Sequence, residues 1–106
     1  MDDIVIKLTA DFLKSLAHPA RIQILKMLVQ GERCVCELIP VLDIEQSNLS
    51  QHLGILRKQG LINSRKEGTK VFYYVVHPAV FEIIALVEKI LGDQISQSQS
   101  LLKLLK

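Results

Sequence analysis

A mainly α-helical domain with one small β-hairpin is the fold class this chain predicts, and three observations predict it. Apolar residues recur at helical spacing through most of the 106 residues. The period switches once, to alternation, between Gly60 and Val76. It becomes helical again after His77-Pro78. A chain of this length makes a single domain, assigned to residues 1–106 as a whole.

Residues 4–16 put Val5, Leu8, Phe12 and Leu16 on one broad apolar face of a first helix. His18-Pro19 opens the second, because proline is well tolerated at the first helical position. Ile22, Leu25, Leu28 and Val29 form its buried stripe, and Gly31 stops it. A third helix begins at Cys34-Val35-Cys36, with Val35, Leu38, Ile39 and Leu42 on one face. Pro40 falls inside that pattern and predicts a short helix or a kink near Ile39. Residues 43–46 link it to 47–58, where Leu49, Leu53 and Leu56 make a narrow stripe and Gly60 follows as the stop. Residues 62–66 and 71–76 alternate as strands around a turn at Glu67-Gly68-Thr69-Lys70. The last helix carries Val80, Ile83, Ile84, Val87, Ile90 and Leu91 on one side. Gly92 and the polar run 93–100 are expected to loosen it, leaving 101–105 as a short amphipathic tail. The order α-α-α-α-β-β-α, with two short helices on a tight link followed by a hairpin, is a winged helix-turn-helix.

The helix at 47–58 turns Ser47, Gln51, Gly54 and Lys58 away from its leucines, with Ser50 and Arg57 at the edge. An ordinary amphipathic surface helix has a similar stripe. Here, though, Arg57, Lys58, Arg65, Lys66 and Lys70 cluster against one acid, Glu67, although the net charge is only +2. Gln and Ser can reach base edges, while Lys and Arg meet phosphates. The candidate DNA-binding set is therefore Gln46, Ser47, Ser50, Gln51, Arg57, Lys58, Arg65, Lys66 and Lys70, and the partner is double-stranded DNA. Apolar residues make up 49% and mean hydropathy is +0.28, which points to apolar surface reserved for another subunit. Residues 1–17 and 78–105 are the expected dimerisation helices, and a two-fold homodimer matches a palindromic operator. No apolar run reaches membrane-spanning length, and the acidic start MDDIVIK is unlike a signal peptide. A cytoplasmic protein with reduced thiols is expected. No Ser/His/Asp pattern or phosphate-binding loop suggests an enzyme.

The runs LAHPARIQILKML, ERCVCEL, SNLSQHLGILRKQGLI and SRKEGTKVFYYV resemble the arsenical-resistance repressor (ArsR/SmtB) family of winged-helix metal sensors over residues 12–76. Ser50-Gln51-His52-Leu53 with Leu56-Arg57 and Gly60-Leu61 is the most specific part. The resemblance implies that the 47–58 helix enters the major groove. It also implies that the first and last helices pair two subunits and that an inducer weakens DNA binding.

Cys34 and Cys36 are the candidate metal-binding residues. A helix N-terminus and Arg33 both favour thiolate, the form that binds soft metals. By spacing alone the two read as small apolar core residues, as free cysteines often are, and it is the resemblance that makes them ligands. CVCEL resembles the thiolate box of arsenite, antimonite and cadmium sensors, which implies As(III) or Sb(III) as inducer, completed by a small thiol or water. Cu(I), Cd and Pb are further candidates, and no cofactor is required for folding. Within a formed helix, residues i and i+2 point about 200° apart. Both sulfurs can thus grip one ion only if the first turn is extended or unwinds, and the remodelling that capture demands would be the switch. The chain departs from the family in having Ile39 where the closest arsenite repressors carry a third cysteine, and no cysteine in residues 1–33. Its last helix offers only His77, Glu82 and Glu88. His18 and His77 are expected as helix caps, and His52 as a packing or hydrogen-bonding residue. The alternative is a redox or reactive-sulfur-responsive repressor using the same cysteine pair. A protein-interaction module that does not bind DNA stands behind it.

Overall fold

The computed structural model describes residues 2–105. Its elements run α1 (Asp3–Leu16), α2 (Pro19–Met27), β1 (Arg33–Cys34), α3 (Val35–Leu42), α4 (Gln46–Lys58), β2 (Ile62–Glu67), β3 (Lys70–Val75) and α5 (Ala79–Leu104). Short polar side chains start the first two helices. Asp2 accepts the Ile4 N–H at 3.0 Å, and His18 Nδ1 accepts the Ala20 N–H at 3.0 Å, ahead of Pro19. His77 does not cap α5: Pro78 holds the cap position without a side-chain bond, and only the His77 carbonyl accepts, from the Val80 N–H.

The core is built from one or more apolar residues of every helix. Leu16, Ile24, Leu25, Leu28, Leu38 and Leu42 meet Leu49, Leu53 and Leu56 of α4, closed by Leu61, Ile62, Val80 and Ile84. Each such side chain contributes about 1.5–3 kcal/mol when fully buried. The predicted α2 stripe needs adjusting. Ile24 is fully buried, Ile22 is half-buried, and Val29 is exposed because the helix has ended by Leu28. α3 is short, continues through Pro40, and stops at Asp43 in the left-handed region at φ 52°.

The hairpin belongs to a three-stranded antiparallel sheet ordered β1-β3-β2. β1 is a strand the sequence did not reveal, since two residues cannot display alternation. It pairs Arg33 with Tyr73 and Cys34 with Phe72. β2 and β3 pair from Ile62↔Val75 out to Glu67↔Lys70, so the turn is only Gly68-Thr69, tighter than predicted. Gly68 takes φ +63° at the first turn position, where a two-residue hairpin favours glycine.

α5 is one continuous helix of 26 residues, about 39 Å long. The expected loosening at Gly92 does not occur. One helical glycine costs about 1 kcal/mol relative to alanine, and Lys89 and Asp93 pair across it at 3.4 Å. Val80 and Ile84 point into the core, whereas Leu86, Val87, Ile90, Leu91 and Ile95 are exposed. α1 likewise exposes Ile4, Val5, Ile6, Leu8 and Leu13. The Cα radius of gyration is 17.2 Å, against about 13 Å for a compact domain of 100 residues, because α5 reaches beyond the body. Among the described residues no helix is long and apolar enough to cross a membrane.

Candidate nucleic-acid interface and thiol pair

α4 is fixed by its buried leucines, which leaves Gln46, Ser47, Ser50, Gln51, Arg57 and Lys58 exposed. Gln46 is the first residue of this helix rather than part of the link. On the same exposed surface, a Cβ added at Gly54 would meet no atom within 4 Å, so no packing requirement holds a glycine there. Lys66 and Lys70 are exposed on the hairpin and join no ion pair among the described residues.

Arg65 stands apart from the other predicted contacts. Its Nε donates to Glu32 Oε2 at 2.9 Å, Nη2 donates to Glu32 Oε1, and Nη1 donates to Glu67 Oε2 at 2.8 Å. The guanidinium also lies 4.7 Å from the centre of the Phe72 ring. In this structure Arg65 is therefore held by carboxylates rather than free for phosphate. The Arg65 hydrogen bond holds the Glu32 carboxyl below its usual range. The bonds to Glu32 and then Glu67 push the Arg65 guanidinium further up. Glu32 lies 33 residues away in sequence, so no local pattern announces the pairing.

The cysteines require a correction. Cys34 is not inside the helix. It ends β1 and caps α3 with extended dihedrals, φ −70° and ψ 147°. Its Sγ accepts the Cys36 N–H at 3.2 Å, and its own N–H donates to Glu37 Oε1 at 3.1 Å. This is a capping box with sulfur where serine or threonine usually stands. The Cys34 and Cys36 side chains meet sulfur to sulfur in a disulfide pairing, with Cα atoms 5.1 Å apart. Of the two ways to bring the sulfurs together the structure takes the extended one, in which Cys34 as cap lies back over the first turn, so no unwinding is required. Cys34 is 4% exposed, whereas Cys36 is open to solvent. Among the described residues no three His, Cys, Asp or Glu side chains form a metal-holding group, so a soft ion would find two sulfurs.

Beside α4, the His52 ring lies 4.3 Å from that of His18, centroid to centroid. Burial, followed by the neighbouring His18 and Arg21 charges, lowers the His52 pKa. His52 is thus a packing residue, as predicted, and its Nδ1 is buried without a hydrogen-bond partner.

Residues 18–64 match the model of the family described as bacterial regulatory protein, arsR family. Rv0081, an uncharacterized HTH-type transcriptional regulator of Mycobacterium tuberculosis, is 42% identical over 98 residues, covering 92% of this chain and 86% of that protein. Its crystal structure matches with a TM-score of 0.82 at 41% identity, over 91% of this chain and 97% of that one. The transcriptional activator HlyU of Vibrio cholerae is 45% identical over 78 residues, 74% of this chain and 72% of HlyU. The structure of HlyU in its reduced form matches with a TM-score of 0.73 at 40% identity, over 83% of this chain and 93% of that one. A homodimeric winged helix-turn-helix DNA-binding domain from Mycobacterium bovis matches with a TM-score of 0.77 at 29% identity, over 92% of this chain and 93% of that one. Identity sustained over nearly the whole chain, on the same winged helix-turn-helix frame, shows that the chain belongs to the ArsR family of DNA-binding transcriptional regulators and is not an enzyme.

Proposed function

We propose that this regulator is a dimeric repressor whose hold on a palindromic operator is set by the bonding state of Cys34 and Cys36. One observation carries this: Cys34 caps α3 from outside the helix, so the two sulfurs meet with the helix intact. Exposed Cys36, on the first turn of α3, suits the attacking thiolate, and buried Cys34 suits the resolving thiol. With a low-molecular-weight disulfide as oxidant, the Cys36 thiolate displaces one thiol to form a mixed disulfide. Cys34 then attacks the Cys36 sulfur and expels the second thiol. Two S–H protons and two electrons leave with the two released thiols, and one S–S bond forms. A reducing cytoplasm would keep the resting protein in the dithiol form.

The exposed face of α4, with Lys66 and Lys70 on the wing, is the proposed DNA surface. The uncovered apolar faces of α1 and α5 are the proposed subunit contact, which would set half-sites about 34–36 Å apart or a multiple of that. The same convergence of sulfurs favours a second reading. Two thiolates can chelate As(III) or Sb(III), with a small thiol or water as third ligand, and Cu(I), Cd(II) and Pb(II) belong to the same test.

Operator release against oxidised glutathione, polysulfide, arsenite, antimonite and the three metal ions separates these readings. Release by oxidised glutathione or polysulfide in wild type, abolished by Cys34→Ser and by Cys36→Ser, is the expected result. Release by arsenite or antimonite alone would put the chelate in its place. Serine variants that respond like wild type would overturn both.

A further inference from the structure

Cys34, Phe72 and Arg65 occupy one row across the three strands: Cys34 pairs with Phe72, and Phe72 pairs with Arg65 on its other side. Glu32, which forks onto Arg65, lies two residues before Cys34 and directly after Gly31, whose φ is +137°. We infer that Glu32 is a positioning residue for the wing, converting the bonding state of Cys34 and Cys36 into the presence or absence of a phosphate contact by Arg65. This rests on the redox reading above.

With the sulfurs joined, Cys34 at the end of β1 is cross-linked to Cys36 in the first turn of α3, in addition to the peptide chain between them, and Glu32 immediately precedes that strand. Three of the N–H groups of Arg65 are then spent on two carboxylates. Two acids offset one cation, which weakens the pull of the guanidinium on a phosphate although two of its five N–H donors remain. When a thiol donor opens the disulfide, β1 keeps its two-residue ladder, the Cys34 N–H bond to Glu37 and the Cys36 N–H bond to the Cys34 sulfur, and loses the covalent one. The glycine at 31 allows Glu32 to swing away, which leaves Arg65 with Glu67 alone and frees its Nε and Nη2 donors for the backbone. The exchange is feasible because the Arg65 and Glu32 side chains are 44% and 38% exposed, where ion pairs are weak. The disulfide form is therefore the weaker binder, short of one phosphate contact per subunit.

The test is the salt dependence of binding to a fixed duplex of the chain's own upstream DNA. It compares protein kept in dithiothreitol with protein closed by oxidised glutathione. Each phosphate contact contributes about 0.9 to the slope of log K against log salt. Reduced wild type should show a slope steeper by about that amount per subunit, and an affinity about fivefold or more higher at fixed salt. In Glu32→Gln both thiol states should share the steeper slope, with affinities within about twofold, while the cysteines still open and close. In Arg65→Ala both should share the shallower slope. A Glu32→Gln protein that keeps the wild-type difference between thiol states overturns the role of Glu32 and leaves the redox reading standing. Wild type with equal affinity in both thiol states overturns the two together.

Discussion

The rings of His18 and His52 lie with centroids 4.3 Å apart, so the residue that caps α2 also rests against the middle of α4. Burial leads the effects that lower the His52 pKa, and the neighbouring cations add to it. The unfolded chain consequently takes up this proton at higher pH than the folded one. Stability from the neutral ring is intact above the ordinary histidine pKa of about 6.5, declines as pH falls below it, and levels off beneath the folded pKa. Urea midpoints measured from pH 7.5 downwards should therefore fall in wild type and fall less in His52→Gln. Equal slopes would show that other groups set the acid sensitivity.

Base reading and phosphate binding should separate by mutation. Gln51→Ala is expected to cost about 1–3 kcal/mol and relax preference at one base pair per half-site. Lys66→Ala and Lys70→Ala should weaken all duplexes alike, each lowering the salt slope by about 0.9 per subunit. Competition binding at fixed salt distinguishes the two patterns.

The subunit contact is best probed with a residue that the domain core does not use. Ile84 is buried within its own subunit, so a charge there would unfold the domain and report nothing about pairing. Ile90 is 56% exposed on α5, and Ile90→Asp should give a folded monomer with sharply reduced operator affinity. Sedimentation velocity with circular dichroism checks both halves. A variant that stays dimeric would place the contact elsewhere.

Structural and switching roles of Cys34 can be pulled apart. Cys34→Ala removes the N-cap acceptor and should lower stability by about 0.5–2 kcal/mol. Cys34→Ser supplies a hydroxyl to the same N–H groups and should lose little or nothing. Both should fail to respond to oxidised glutathione. If the alanine variant is as stable as the serine one, the sulfur contributes no cap.

Much of this fold was legible because burial wrote a period into the chain. Leu49, Leu53 and Leu56 face the core as their spacing requires, and the hairpin follows where alternation begins. What escaped was non-local or too short to carry a period. β1 has two residues and exists only because Phe72 and Tyr73 pair with it. The hold on Arg65 depends on an acid from a distant loop, so a charge count enrolled that arginine with Lys66 and Lys70. The position of Cys34 did leave a signal: Cys34-x-x-Glu37 is a capping box once sulfur is allowed as acceptor. Gly92 misled in the other direction, because one glycine cannot break a helix whose neighbours support it.

The segregation of α4 into a leucine side and an open side has an evolutionary consequence. The buried contacts of this helix are made by Leu49, Leu53 and Leu56, whereas Ser47, Ser50, Gln51 and Gly54 are exposed and belong to no part of the core. Those four positions are free to drift without the helix losing its seat. On the proposed reading of the open side as the base-reading face, a duplicated copy could acquire a new genomic address in a few substitutions, inheriting its stability unchanged.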